Sequence, residues 1–131
     1  MYFLVNTNWD IRHESTKEML EEQKVAAYYG RKEKIEELSK GDKVFLYRRG
    51  LGIIAIGIAT GKLEIKEGPD NPKEDIGEEY FMKLDEFKQL KAPLSASEIK
   101  KITVTNPVFR HTIYQLSEES GKLLWDAIRA V

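Results

Sequence analysis

Aromatic rings in polar surroundings and clustered cations are the residue types in this chain best suited to act on a ligand. Trp9 stands in the turn-prone run Asn6-Thr7-Asn8-Trp9-Asp10. A ring there lacks apolar neighbours, and its indole donor can meet water or a ligand instead of a core partner. Asn6, Asn8 and Asp10 offer donors and acceptors to such a ligand, or else cap their own turn. Tyr28, Tyr29 and Tyr47 supply further rings, on segments expected to surround one core. Arg31, Lys32, Arg48, Arg49 and Arg110 lie near the same segments, a locally basic set in a chain of net charge −1. A guanidinium fork suits an anionic oxygen such as phosphate. Rings also fill cores and charges also coat surfaces, so each residue keeps that plainer role as its alternative.

Other chemistries are poorly represented. His13 and His111 are the only histidines, and neither has a partner at ligand spacing. The absence of cysteine excludes disulfides, thiolate catalysis and cysteine-based zinc sites. Gly50-Leu51-Gly52 lacks the following helix and the lysine of a phosphate-binding loop. No serine or carboxylate is marked as a nucleophile with its base. The expectation is a binding module rather than an enzyme, with no cofactor and no metal.

The elements that must position these residues are organised around 41–59. Gly41-Asp42 is a turn signal. Val44 and Leu46 then alternate with Phe45 and Tyr47, so two apolar sets face opposite sides of a strand. Arg48 to Gly52 reverse the chain, and 53–59 return as a strand apolar on both faces, which must be covered on both. Gly57 in mid-strand signals a bend, a bulge or a close approach. Further strands are expected over 2–7, 60–66, 79–84 (with Phe87 and Leu90 as a possible extension) and 109–116. Helices are expected over 16–23 (Ser15 and Glu18 forming a capping box), 31–39, 96–101 (capped by Ser95) and after Ser117, with Leu124, Ile128 and Val131 on one face. Residues 67–73 read as a loop. About six strands and about four short helices in mixed order give an α+β fold, a small curved, mostly antiparallel β-barrel flanked by short helices.

At 131 residues, 41% hydrophobic and 33% charged, the chain reads as one domain over 1–131. The N-terminus lacks the basic flank of a signal peptide, and no apolar run approaches the roughly 18 residues of a membrane span. A cytoplasmic location without membrane association is expected. The last helix ends without a capping glycine, which suggests a domain fused to or partnered with a larger effector protein.

The order charged helix, Gly41-Asp42, aromatic strand, glycine-punctuated Ile/Ala strand resembles the PUA-like superfamily, and within it the EVE and YTH type domains. The resemblance extends to Ala26-Ala27-Tyr28-Tyr29-Gly30-Arg31 and to the stretch from Asn106 to Glu119, so it spans most of the chain in loose pieces. It implies a nucleic-acid-binding module that holds a modified, often methylated, base flipped into an aromatic pocket. On this resemblance the nucleic acid would be DNA or RNA, and the module would be the specificity domain of a modification-dependent restriction system or an RNA-binding protein. Trp9, Tyr28, Tyr29 and Tyr47, with Asn6, Asn8 and Asp10, would form the pocket; Arg31, Lys32, Arg48, Arg49 and Arg110 would hold phosphates. YTH domains carry a tryptophan wall shortly before the barrel helix, where this chain has Tyr28-Tyr29. The superfamily also includes ASCH domains, some of them hydrolases that use Lys and Glu, which makes a hydrolase of a nucleoside-type ligand the alternative. A protein-interaction domain without ligand is the third reading.

Stacking contributes about 1–3 kcal/mol per base, and extruding a paired base costs a few. The two nearly cancel, so affinity for a duplex would depend on phosphate contacts. If Trp9 is a pocket wall, Trp9→Ala weakens oligonucleotide binding by about 1–3 kcal/mol and leaves thermal unfolding cooperative. A core tryptophan would instead lose about 3–5 kcal/mol of stability. Melting and titration of the one variant distinguish the two.

Overall fold

A computed structural model describes residues 1–7, 16–27, 34–67, 78–104 and 113–130. Seven strands form one sheet: β1 (Tyr2–Asn6), β2 (Lys24–Ala27), β3 (Lys43–Arg48), β4 (Gly52–Ala59), β5 (Glu64–Glu67), β6 (Glu78–Leu94) and β7 (Ile113–Leu116). Among the described residues there are three α-helices, α1 (Thr16–Glu22), α2 (Ala96–Thr103) and α3 (Glu118–Arg129). None is long and apolar enough to cross a membrane.

The strand order is β2-β6-β4-β3-β1-β7, with β5 also paired to β6. Every pairing is antiparallel except β1 with β3. The hairpin expected from 44–59 is present, with Val44, Leu46, Ile54, Ile56 and Ile58 on adjacent antiparallel strands. Its two faces feed two separate cores. Val44, Leu46, Ile54 and Ala55 join Phe3 and Val5 of β1, Val25 to Ala27 of β2, and Met19 of α1. Phe45, Tyr47, Ile53 and Ile56 join Tyr2 and Leu4 beneath Ile99 of α2 and Leu124, Trp125 and Ile128 of α3. Strands from distant positions in the order share the first core, so the sheet curls around it while α2 and α3 cover the outside. The fold is α+β, a curled, mostly antiparallel half-barrel.

The bend is built into β6. Its pairing with β4 slips between Ile53 and Ala55 and again between Ile56 and Ile58, and Glu86 takes a left-handed φ of 49°. Bulges of this kind bend a strand and add twist. Gly57 sits at the second slip, where a Cβ would lie 2.7 Å from the Leu84 Cβ. Two of the three reasons anticipated for this glycine, a bulge and a close approach, therefore hold.

Several boundaries differ from expectation. β6 runs from Glu78 to Leu94, taking in the extension through Phe87 and Leu90 and continuing four residues beyond it, although its bulges break the simple alternation. The strand expected over 60–66 begins only at Glu64, after Gly61 with φ 81°. The described part of the expected helix 31–39 is a single 3-10 turn over 34–37. Only Ile113–Leu116 of the strand expected over 109–116 falls among the described residues. Ser95 caps α2 with the reciprocal Glu98 bond of a capping box, and Ser117 caps α3 by accepting from the Ser120 amide at 3.1 Å. Ser15 and Val131 lie outside the described residues.

Gly57→Ala is expected to destabilise by about 1–3 kcal/mol, because the clash is with a Cβ that cannot swing aside. Denaturant unfolding of G57A measures it, and adding Leu84→Ala should recover part of the Gly57→Ala loss. An unchanged midpoint for G57A would mean that β4 and β6 do not approach this closely.

Candidate functional site

β1 and β3 run side by side and end together, with Asn6 opposite Tyr47 on the last rung. Strand alternation puts Asn6 with Leu4 and Tyr47 with Phe45, on the face covered by α2 and α3. Both are almost fully buried, Asn6 at 1% exposure and Tyr47 at 5%. Burial pushes the Tyr47 phenol above its ordinary pKa, and the positive charge of Arg49 opposes that shift. One residue further along the strand Arg48 is half-buried, and Arg49 is exposed. A buried polar pair thus gives way within two positions to a cationic rim.

Thr7, the next residue of the chain, faces the inner core. Its amide donates to the Tyr47 carbonyl at 2.9 Å, and its hydroxyl meets the Thr16 hydroxyl at 2.7 Å. This bond clamps the end of β1 to the start of α1, so the two anchors of the segment carrying Trp9 are fixed against each other. Asn8, Trp9 and Asp10 themselves lie outside the described residues, as do Tyr28, Tyr29, Arg31, Lys32 and Arg110. β2, which leads directly into Tyr28 and Tyr29, contributes its apolar residues only to the inner core. Tyr47 and Asn6 occupy the outer face. Of the expected set, then, the structure brings together Asn6, Tyr47, Arg48 and Arg49.

A second constellation escaped the sequence reading. Lys24 is completely buried, and its ammonium donates to Glu79 Oε2 at 2.5 Å and to Glu18 Oε1 at 3.0 Å. Glu22 Oε1 is 3.5 Å away, and the ammonium lies 4.7 Å from the centre of the Phe81 ring. Glu79 is itself only 2% exposed. The lysine therefore ties α1, β2 and β6 together through one charge. Both residues border charged stretches, Glu21-Glu22 before Lys24 and Glu78 before Glu79, and so read as solvated. The available signal was Phe81, which shares a strand face with Glu79 and marks that face as covered. A buried ammonium hydrogen-bonded to carboxylates can lock a fold or hold a proton for transfer.

Elsewhere, an open groove of about 390 Å³ is lined by Ile56, Glu86, Phe87, Lys88 and Arg129. Lys88 donates to the Ile128 carbonyl at 3.2 Å, and Arg129 lies 3.7 Å from Glu86. These contacts join β6 to the last turn of α3, and the groove includes none of the expected site residues.

No family model and no curated protein matches the sequence. Solved structures do resemble the fold. A structural-genomics NMR structure from Rhodopseudomonas palustris superposes with a TM-score of 0.61 at 17% identity, covering 99% of this chain and 94% of that one. A structural-genomics crystal structure from Pseudomonas syringae gives 0.55 at 15% identity, covering 99% and 98%. At such identities the likeness establishes the fold alone.

Proposed function

We propose that this chain is a PUA-like module of the EVE/YTH kind that binds nucleic acid and recognises a modified, methylated base extruded into an aromatic pocket. It works alongside, or fused to, a larger effector such as a modification-dependent restriction enzyme. The observation that carries this reading is the progression along β3: Tyr47 buried beside Asn6, then Arg48 half-buried, then Arg49 exposed. Tyr47, packed in the outer core, and Asn6 beside it would form the floor beneath such a pocket; guanidinium groups just outside suit the flanking phosphates. The Thr7–Thr16 clamp supports the same reading, because it anchors the Trp9 segment at the end of the sheet where those residues lie. Burying one methyl contributes only about 0.8 kcal/mol. Selectivity for a modified base would therefore also need an unmodified base to leave a polar group or a poorly held water behind.

Titration against DNA and RNA oligonucleotides that differ in one modified base tests the proposal. Binding that is indifferent to every modification would refute it. Arg48→Ala with Arg49→Ala should weaken all sequences about equally and flatten the dependence of log affinity on log salt, by about 1.4 on single strands and about 1.8 on duplexes. An unchanged slope would leave these arginines as solvated charge.

The buried Lys24–Glu79 pair favours a second reading, a hydrolase of a nucleoside-type ligand that uses the lysine and the glutamate. Lys24→Met leaves Glu79 buried without its ammonium and should cost about 3–5 kcal/mol; pairing it with Glu79→Leu should restore much of that stability. Turnover of a nucleoside panel by the wild type, lost in the stable double variant, would establish the hydrolase. No turnover by the wild type would leave the pair a structural tie.

A further inference from the structure

We propose that Leu51 is an apolar wedge that fills the gap left in a duplex when a base is extruded, so that the module's substrate is double-stranded nucleic acid. The inference rests on the base-recognition reading above. Leu51 is 46% exposed at the tip of the β3–β4 hairpin, whereas the apolar residues flanking the turn, Leu46, Tyr47, Ile53 and Ile54, are all buried. Turn positions favour glycine, asparagine, aspartate, serine and proline, so leucine is an uncommon choice for a hairpin tip.

The tip is also held firmly. The Leu51 amide donates to the Arg48 carbonyl at 2.9 Å. Gly50 and Gly52 take φ values of 86° and 122°, and a Cβ on Gly52 would lie 2.0 Å from the Leu94 carbonyl oxygen. The foot of the hairpin is thus pressed against the corner where β6 passes into α2, with Ile53 paired to Leu94. Arg48 and Arg49 directly precede the tip, and between Asp42 and Glu64 the chain has no acidic residue; the Glu98 carboxylate near the foot is held by Ser95 in the α2 capping box. Apolar side chains of this size enter base steps in proteins that kink or open a duplex, and the major groove of B-DNA admits a two-stranded ribbon. A single strand leaves no paired stack to refill, so the wedge should matter only on a duplex.

The test compares wild type and Leu51→Ala on one modified-base sequence, single-stranded and as DNA and RNA duplexes, by anisotropy. A fluorescent base analogue opposite the modified position reports unstacking. The expected result is about a tenfold loss of duplex affinity for L51A, about 1.4 kcal/mol, with a diminished unstacking signal and single-strand affinity within about twofold. Which of the two duplexes shows the loss identifies the nucleic acid. Equal loss on single and double strands, or none on either, overturns the wedge while base recognition stands. So does a wild type that binds the modified single strand but neither duplex. A wild type that binds no modified oligonucleotide in any form overturns the base-recognition reading itself, and the wedge with it. Loss of binding by L51A to anionic vesicles, with duplex affinity unchanged, would reassign the tip to a lipid surface.

Discussion

Strands β3 and β4 are apolar on both faces, and water must be kept from both. That requirement explains the layout of most other elements. On one side the sheet curls so that β1, β2 and β6 close over Val44, Leu46 and Ile54; on the other α2 and α3 are laid across Phe45, Ile53 and Ile56. At about 25 cal/mol per Å² of apolar surface removed from water, neither face could be left open in a domain of this size. The bulges of β6 and the glycine at 57 let one long strand follow the curl without breaking its pairing to β4.

The same alternation divides the polar residues. Along β1, Asn6 turns outward toward Tyr47 and Thr7 inward toward Thr16, so consecutive residues serve different sides of the sheet. The inner side also holds the one fully buried lysine among the described residues, surrounded by Glu18, Glu22 and Glu79. An ion cluster there is costly to desolvate, and it gives α1 a fixed position that its short apolar face, with Met19 its only fully buried apolar residue, could not set alone.

How much of this was legible in the sequence follows from how local each signal is. The β3–β4 hairpin, the serine caps of α2 and α3, and the special character of Gly57 are encoded within a few residues, and all were readable. The length of β6 was readable only in part, through Phe87 and Leu90, because bulges shift the alternation and its outer stretch carries Lys88, Gln89 and Lys91. The meeting of Asn6 with Tyr47 depends on a parallel pairing between segments far apart in sequence, and local pattern cannot reveal it. Lys24 and Glu79 looked like ordinary surface charges, since only the curl of the sheet brings them together under α1. Trp9, Tyr28 and Tyr29 were chosen from composition and resemblance and stand outside the described residues. Arg48 and Arg49 could be placed because they belong to the hairpin itself.

The position of β1 bears on how the protein is made. This strand is zipped to β3 on one edge and to β7 on the other, and neither partner exists when Tyr2 to Asn6 leave the ribosome. The Tyr-Phe-Leu-Val run must therefore wait, exposed and apolar, for β3 to follow it, and its other edge stays open until β7 has been made. Pairings this distant in sequence form slowly, because the intervening chain must be ordered first. In the interval such a segment offers chaperones a binding site and other nascent chains an edge to pair with. The curl that completes the fold is consequently a late event, closed by the arrival of β7.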